Sequence, residues 1–357
     1  MTINLYVTST QDFSGKSAVC LTFLHRFQKD GYTVGYLKPF SSAARVLSSS
    51  SVDEDARLIK ETFNLAEPLE ILAPVILTTQ QAQRILEGDS LDYQKIVKQA
   101  AEKVGESKDV VVMEGSANFR EGRIVKLSPS EAAVLLDAKV VTVIGYKDVL
   151  QVIDDILTAS MRLDKNLVGV IVNNVPVSQL DYVKHKVKPY IQKQGINLMA
   201  VLPYEKTLYS ITVGEIAEAL EAEVICASGC ENELVENLLI GAMNVETALN
   251  YFRRAINKAV IVGGDRPDMQ LAAMETSTKV LILTGNVPLN PMIQARAEER
   301  GVAIILSTYD TLTTVEKVEK FFGKSRIHQA EKVLRFEELL SQNLDFPALY
   351  KAIGLSK

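Results

Sequence analysis

The sequence predicts an α/β fold: a doubly wound parallel sheet followed by a second, smaller α/β unit. Three observations carry this. Several apolar runs of strand length contain no polar residue, as expected of strands buried on both faces. Stretches with helical spacing separate them, and repeated strand–helix–strand order builds a parallel sheet covered on both sides. At 357 residues the chain is too long for one ordinary core and comfortable for two.

The elements follow in order. Ile3, Tyr6 and Val7 read as the first strand. Ser17 to Asp30 is helical and stops at Gly31, a residue suited to the left-handed turn that ends helices. Val34 to Leu37 is the next strand, and the serine run Ser48 to Ser51 reads as a flexible loop. Asp109 to Met113, Val140 to Ile144 and Val168 to Val172 are further strands. Near residue 205 the pattern breaks and restarts, which places a first domain at 1–208 and a second at 212–325. Thr212 to Ala219 is a connecting helix. In the second domain Ala259–Val262, Val280–Leu283 and Ala303–Leu306 are strands. Met269–Thr276, Pro291–Arg300 and Thr313–Phe322 are the helices among them. The tail, 326–357, carries Val333, Phe336, Leu339 and Leu340 at helical spacing. It is expected to pack on the second domain or on another subunit.

Composition excludes several classes. Hydrophobic residues make up 47% and charged residues 23%, a soluble globular balance. A net charge of -5 gives no sign of a nucleic-acid or membrane partner. No run of eighteen apolar residues is present, so no transmembrane helix is expected. The start has no basic flank, and a cleaved leader would remove the motif described next, so a cytoplasmic location is expected. The three cysteines, Cys20, Cys226 and Cys230, read as thiols of a reducing compartment. Without further Cys or His nearby, Cys226 and Cys230 do not make a zinc site.

The chemistry begins after the first strand. Thr8-Ser9-Thr10-Gln11-Asp12-Phe13-Ser14-Gly15-Lys16-Ser17 leads straight into a helix. Strand, turn, Gly-Lys-Ser and helix is the arrangement of a Walker A phosphate loop. Backbone N–H groups of Thr10, Gln11, Asp12, Phe13, Ser14 and Gly15 are there to meet phosphate oxygens at a helix N-terminus. Lys16 would reach the β and γ phosphates of ATP, and Ser17 would offer its hydroxyl to Mg²⁺. The first glycine of the G-x-x-x-x-G-K-[ST] pattern is Thr10 here. Glu114, ending the strand before Gly115 and Ser116, faces the ligand crevice of a parallel sheet. Asp55, in the run Asp53-Glu54-Asp55, is the second candidate ligand. Mg²⁺ takes one or two carboxylates beside phosphate oxygens and waters, so this set suffices. Asp53 reads as a solvated residue at a helix start. Lys38 leaves the second strand before Pro39, which forces an extended exit toward the same crevice. Asn173 ends the strand VGVIV with Asn174, and an amide there carries both a donor and an acceptor for an adenine edge.

In the second domain three strands end in small polar residues: Gly263-Gly264-Asp265, Thr284-Gly285-Asn286 and Ser307-Thr308-Tyr309-Asp310. Such ends permit close backbone approach to a ligand. Asp265 and Arg266 therefore either bind an anionic metabolite or nucleotide, or pair across a dimer, or make only a tight turn.

Thr8 to Ser17, Lys38-Pro39, Glu114-Gly115-Ser116 and Asn173 together resemble dethiobiotin synthetase and its relatives. They resemble more closely the dethiobiotin-synthetase-like N-terminal region of long bacterial phosphate acetyltransferases. There a domain named for an Asp-Arg-Thr-Gly-Gly motif follows. Gly263-Gly264-Asp265-Arg266-Pro267-Asp268 is similar to that motif, keeping Asp-Arg and losing Thr-Gly-Gly. The resemblance covers about residues 1–325. It implies ATP and Mg²⁺ as cofactors. Lys16, Ser17, Asp55 and Glu114 would be phosphate and metal residues, Lys38 would face a substrate, and Asn173 the base. In the long enzymes the acetyl-transferring domain comes next. The sequence stops at Lys357, so no acetyltransferase activity is expected of it.

Three functions stay open at this stage. One is an oligomeric nucleotide sensor acting on a metabolic enzyme. Another is an ATP- and Mg²⁺-dependent ligase or synthetase in which Lys16 and Lys38 are catalytic. The third is a scaffold that has lost nucleotide binding.

Overall fold

The computed structural model describes residues 2–42, 45–47, 50–88, 91–225, 229–321 and 329–355. The chain forms two compact units. The first comprises Met1–Tyr204 and Ile327–Lys357, the second Glu205–Arg326.

The first unit is built on a parallel six-stranded sheet. Its strands are β1 (Ile3–Ser9), β2 (Val34–Leu37), β5 (Val110–Glu114), β6 (Lys139–Gly145), β7 (Leu167–Val175) and β8 (Leu198–Pro203), in the spatial order β2-β5-β1-β6-β7-β8. Between β2 and β5 a short antiparallel pair, β3 (Arg45–Leu47) and β4 (Ser50–Val52), stands apart from the sheet. Ser50 and Ser51 thus belong to a strand and not to the expected loop, while Ser48 and Ser49 lie outside the described residues. The helices α1 (Lys16–Lys29), α2 (Glu54–Phe63), α3 (Leu69–Leu72), α4 (Thr79–Leu86), α5 (Tyr93–Gly105), α6 (Pro129–Leu135), α7 (Val149–Leu163), α8 (Val177–Tyr182) and α9 (Lys188–Lys193) connect the strands. Val110, Val111, Val112 and Met113 are all fully buried, which is why β5 reads as an unbroken apolar run.

This topology positions the site. β5 pairs with β1 on one side and β6 pairs with it on the other, both parallel. The chain thus reverses its direction of travel across the sheet at β1. Crevices at such reversals, outside the C-terminal strand ends, are where doubly wound folds bind ligands.

The second unit has a five-stranded sheet. After β9 (Ile211–Thr212), α10 (Val213–Leu220), β10 (Val224–Ile225) and β11 (Leu234–Val235) come β12 (Asn237–Ile240), α11 (Val245–Phe252), β13 (Lys258–Gly263), α12 (Pro267–Met274), β14 (Thr278–Thr284), α13 (Pro291–Arg300), β15 (Ala303–Leu306) and α14 (Thr311–Glu319). The order is β10-β15-β14-β13-β12, with only β10 antiparallel. The strands β12 to β15 march in one direction, so this sheet has no reversal point. One core, with Val260, Leu281, Met269 and Ile293, fills one face, and another, with Ile216, Ile261, Ile282 and Val318, fills the other. Helix α10 starts where expected because Thr212 and Glu215 form a reciprocal capping box.

The tail forms α15 (Ala330–Asn343) and α16 (Phe346–Ile353). These helices belong to the first unit, which corrects the expectation that they pack on the second domain or another subunit. The reason is aromatic burial on α1. Phe346 meets Phe23 edge-on at 6.2 Å between ring centroids, and Tyr350 meets Phe27 at 5.5 Å. The guanidinium of Arg26 lies 4.7 Å over the Phe346 ring. Helical spacing showed that the tail has an apolar face, but not which partner would cover it. Of the cysteines, Cys20 is a free, buried thiol, Cys230 is disulfide-bonded, and Cys226 lies outside the described residues. The bond at Cys230 departs from the expected thiol; bonding depends on approach in space, which residue counts do not report.

Candidate nucleotide site

The loop between β1 and α1 takes its shape from two left-handed residues. Gly15 has φ 96° and caps the N-terminus of α1, and Phe13 has φ 53° and is exposed. Thr10 is not among the positive-φ residues. A threonine therefore stands at the first glycine position of the motif without backbone strain.

Several contacts hold the loop. Ser9 Oγ has the carbonyls of Gln11 at 2.8 Å and Ala117 at 2.9 Å within reach of its single O–H donor. Gln11 Nε2 donates to Gly145 O at 2.8 Å, at the end of β6, and Gln11 Oε1 accepts from Gln151 Nε2 of α7 at 2.8 Å. A Cβ on Gly145 would lie 2.4 Å from Gln11 Nε2, so this approach needs glycine. Asp12 is exposed and accepts a long bond, 3.4 Å, from Asn118 Nδ2. The hydroxyls of Thr8 and Ser14 are buried and, among the described residues, have no hydrogen-bond partner. The orphaned hydroxyl of Ser14, two residues before α1, fits an anion that would supply the missing acceptor.

The metal-ligand candidates divide into two groups. Ser17 Oγ donates to Glu114 Oε1 at 2.6 Å, joining residues 97 positions apart. Tyr36 OH donates to Glu114 Oε2 at 2.9 Å and fixes the other oxygen. Glu114 is buried, and burial raises its carboxyl pKa above the ordinary range, against the pull of Lys38 and Lys16. Lys16, half-buried at the first position of α1, has its pKa lowered by burial, with Glu114 opposing. Each group is thus short of compensating charge in the protein alone. Phosphate would relieve the lysine and a cation the carboxylate. An all-oxygen pair of hydroxyl and carboxylate suits Mg²⁺. Among the described residues no group of three or more His, Cys, Asp or Glu is arranged to hold a metal ion by itself.

Asp55 sits in the second group, with Lys38. Lys38 Nζ lies 2.7 Å from Asp55 Oδ2 and 2.9 Å from Asp53 Oδ2. Asp53 is buried, not solvated as the sequence suggested. Its carboxylate caps α2 by accepting from Ala56 N at 2.9 Å, and also accepts from Ser41 Oγ at 2.5 Å. A side chain holding a lysine, a serine and a helix end cannot stay in water. Burial opposes the charge on Lys38, but Glu114, Asp55 and Asp53 outweigh it and raise its pKa far above the usual lysine range.

Asn173, at the end of β7, donates through Nδ2 to Ser14 O at 2.9 Å. Its Oδ1 accepts from Asn174 N at 2.8 Å. Each end of the amide thus makes one bond within the protein and keeps one further donor and one further acceptor position. Tyr36, Ser41 and Gln151 escaped the sequence reading. Tyr36 was hidden in an apolar strand, although a buried tyrosine hydroxyl usually finds a hydrogen-bond partner.

Residues 3–212 match the family model described as an AAA domain, and residues 215–321 match that of the DRTGG domain. The chain belongs to this AAA-domain family. The chain also resembles two phosphate acetyltransferases. The one from Pseudomonas aeruginosa is 23% identical over 369 residues, spanning 95% of this chain and 50% of the relative. The one from Nitratidesulfovibrio vulgaris is 26% identical over 364 residues, spanning 97% and 51%. The chain therefore spans about half the length of the curated relatives it matches. Among solved structures, the MinD cell division protein of Aquifex aeolicus covers 58% of this chain and 84% of its own. It does so at 15% identity and a TM-score of 0.37. The P-loop and its crevice all lie within the AAA domain.

In the DRTGG domain, Asp265 is exposed and Arg266 half-buried, just before α12. One Arg266 nitrogen lies 3.4 Å from Met243 O and 3.5 Å from Asp268 Oδ2, both long contacts. Gln270, buried behind them, donates to the carbonyls of Gly263 at 2.9 Å and Gly264 at 3.2 Å. No helix among the described residues is long and apolar enough to cross a membrane.

Proposed function

We propose that the AAA domain binds ATP with Mg²⁺ and that the chain is a nucleotide sensor regulating metabolism. The observation that carries the site is the 2.6 Å bond between Ser17 Oγ and Glu114 Oε1. It brings the hydroxyl of the loop and the carboxylate of the neighbouring strand to one point beside Lys16. Lys16 would hold the β and γ phosphates, backbone N–H groups from Thr10 to Gly15 would cradle them, and Ser17 and Glu114 would hold the metal. Asp55 would join them only by leaving Lys38. When bound, Mg²⁺ would neutralise charge on the β and γ oxygens. The regulatory part is supported by the pairing with a DRTGG domain and by the two phosphate acetyltransferases matched over about half their length. Self-association, a metabolic enzyme as partner and a small anionic metabolite near Asp265 and Arg266 belong to this reading.

A ligase or synthetase of the dethiobiotin synthetase type is the second reading. On its side, the charge of Lys38 acts on both Glu114 and Lys16, so it stands near the phosphate residues. Against it, Lys38 is enclosed by two carboxylates and is not presented to an acceptor.

The test is ATP-dependent stabilisation and turnover of the purified chain with Mg²⁺, screened against diamine and carboxylic-acid acceptors. Nucleotide at a hundred times its dissociation constant should stabilise the fold by about 2.7 kcal/mol. Lys16→Ala should abolish that shift. Binding without turnover is the expected result. Turnover with an acceptor would favour the synthetase, and absence of any shift at millimolar ATP would sink both readings.

A further inference from the structure

We propose that the second unit pairs with a second copy of this chain through the free edge of β12, the two strands running antiparallel about a two-fold axis. This rests on the self-association contained in the reading above and names its surface. An uncovered strand edge offers a row of backbone N–H and C=O groups to any other chain, and proteins shield such edges with cover, charge, proline or brevity. The other edges of the two large sheets follow that rule. Every residue of β2 is buried, helix α15 packs against β8, and β10 is only 2 residues long. β12 has none of these protections. Among the described residues it pairs with β13 alone, and Asn237-Leu238-Leu239-Ile240 contains no proline and no charge.

Leu238 packs against one core of the unit and Leu239 against the other, yet both stay half-buried, and Ile240 is exposed. One more strand on that edge would cover all three. The surroundings decide which strand it is. At the start of β12 lies exposed Ile256, whose carbonyl accepts from Asn237 Nδ2 at 2.6 Å. Cations gather at the same end: Lys206 donates to Asn237 Oδ1, and Arg253 and Arg254 follow α11 just before β13. At the finish of β12 lies exposed Met243, with the carboxylates of Glu246, in the first turn of α11, and of Asp265 and Asp268, just beyond the parallel strand β13. One opposing charge sits at each end, Glu236 at the start and Arg266 at the finish, and each is outnumbered.

Antiparallel pairing sets the start of one strand beside the finish of the other, twice over. Ile256 of each copy then meets Ile240 and Met243 of the other, and the basic end meets the acidic end. A parallel arrangement would set like charges side by side, which opposes it. A two-fold axis through the sheet keeps α11 of both copies on one face, so Glu246 approaches Arg253 across the seam. Such a contact uses the same patch on both copies and closes at the dimer. An extended peptide from another protein could use the backbone edge but would not bring the matching charges with it.

The experiment is sedimentation velocity of the full chain over a range of micromolar concentrations, with melting curves as a check on folding. It compares wild type, Ile240→Lys, Arg253→Glu and the double variant Arg253→Glu/Glu246→Arg. Wild type should be a dimer. Ile240→Lys puts a charge on the edge and should raise the dimer dissociation constant about tenfold or more. Arg253→Glu should weaken the dimer, and the added Glu246→Arg should restore it, which a merely damaged surface would not do. Amide exchange in β12 should speed up in the Ile240→Lys protein while exchange in β14 stays unchanged. A monomeric wild type would overturn the proposal. A dimer indifferent to Ile240→Lys, or one that Arg253→Glu weakens and Glu246→Arg fails to restore, would overturn it as well. The ATP-dependent melting shift, measured on the same proteins, keeps the two readings apart: its absence strikes the nucleotide site, and its presence in a chain that stays monomeric strikes only the β12 seam.

Discussion

Removing the Lys38 side chain should damage the fold before it damages any reaction. Lys38 is 5% exposed and Asp53 3% exposed, with 2.9 Å between their charged atoms. In Lys38→Met the methylene stem is kept and the ammonium is lost. Asp53 then stays buried as an uncompensated carboxylate, because its remaining donors, Ser41 Oγ and Ala56 N, are neutral. Asp55 is partly exposed and can turn toward water. Breaking a buried ion pair by removing one partner costs about 3–5 kcal/mol. Two surviving donors place this case near the lower end, about 3 kcal/mol. Restoring neutrality with Asp53→Asn in the same chain should recover at least half of the loss. Urea denaturation of the single and double variants at pH 7 measures both quantities. A Lys38→Met protein within about 0.5 kcal/mol of wild type, the scale of an ordinary surface change, would refute the closed ion cluster. It would return Lys38 to the role of a lysine facing a substrate.

Phe346→Ala should destabilise the first unit by about 3–5 kcal/mol, since it removes a buried ring from between Phe23 and Arg26. An unchanged denaturation midpoint would mean that the tail contributes nothing to that unit. Lys258, buried at the start of β13, has its pKa lowered to about 8 by desolvation. Between that value and the ordinary lysine value the unfolded chain binds more protons, so the second unit should gain stability as pH rises through this window. Lys258→Met should be the more stable protein at pH 7, by up to about 3 kcal/mol, with the advantage fading above pH 8. Calorimetric melting of both proteins from pH 7 to 10 checks the sign. Arg266→Ala, which removes only long contacts, should change stability by less than ~0.5 kcal/mol. A larger loss in sedimentation or melting experiments would point to a partner or ligand at that residue.

Local order was legible in the sequence wherever the signal was local. The strands β1, β2, β5, β6 and β7 appear as apolar runs because both faces of a central parallel strand are buried. The P-loop was legible because Gly15, Lys16 and Ser17 must be contiguous to turn, bind and start a helix. Glu114 could be placed at the crevice because a residue ending a central strand has only one end of the sheet to face. Pairings across the chain were not legible. Nothing near Asp53 in sequence announces Lys38 or Ser41, so a buried cap looked like a solvated helix start. Asn173 carried donors and an acceptor, but only the fold shows that Ser14 O takes one N–H and that Asn174 N donates to its oxygen. The tail displayed an apolar face, and the aromatic rings of α1 decided which unit would cover it. Hydrophobic burial is non-directional, so sequence periodicity determines that a face must be buried, and tertiary structure determines against what.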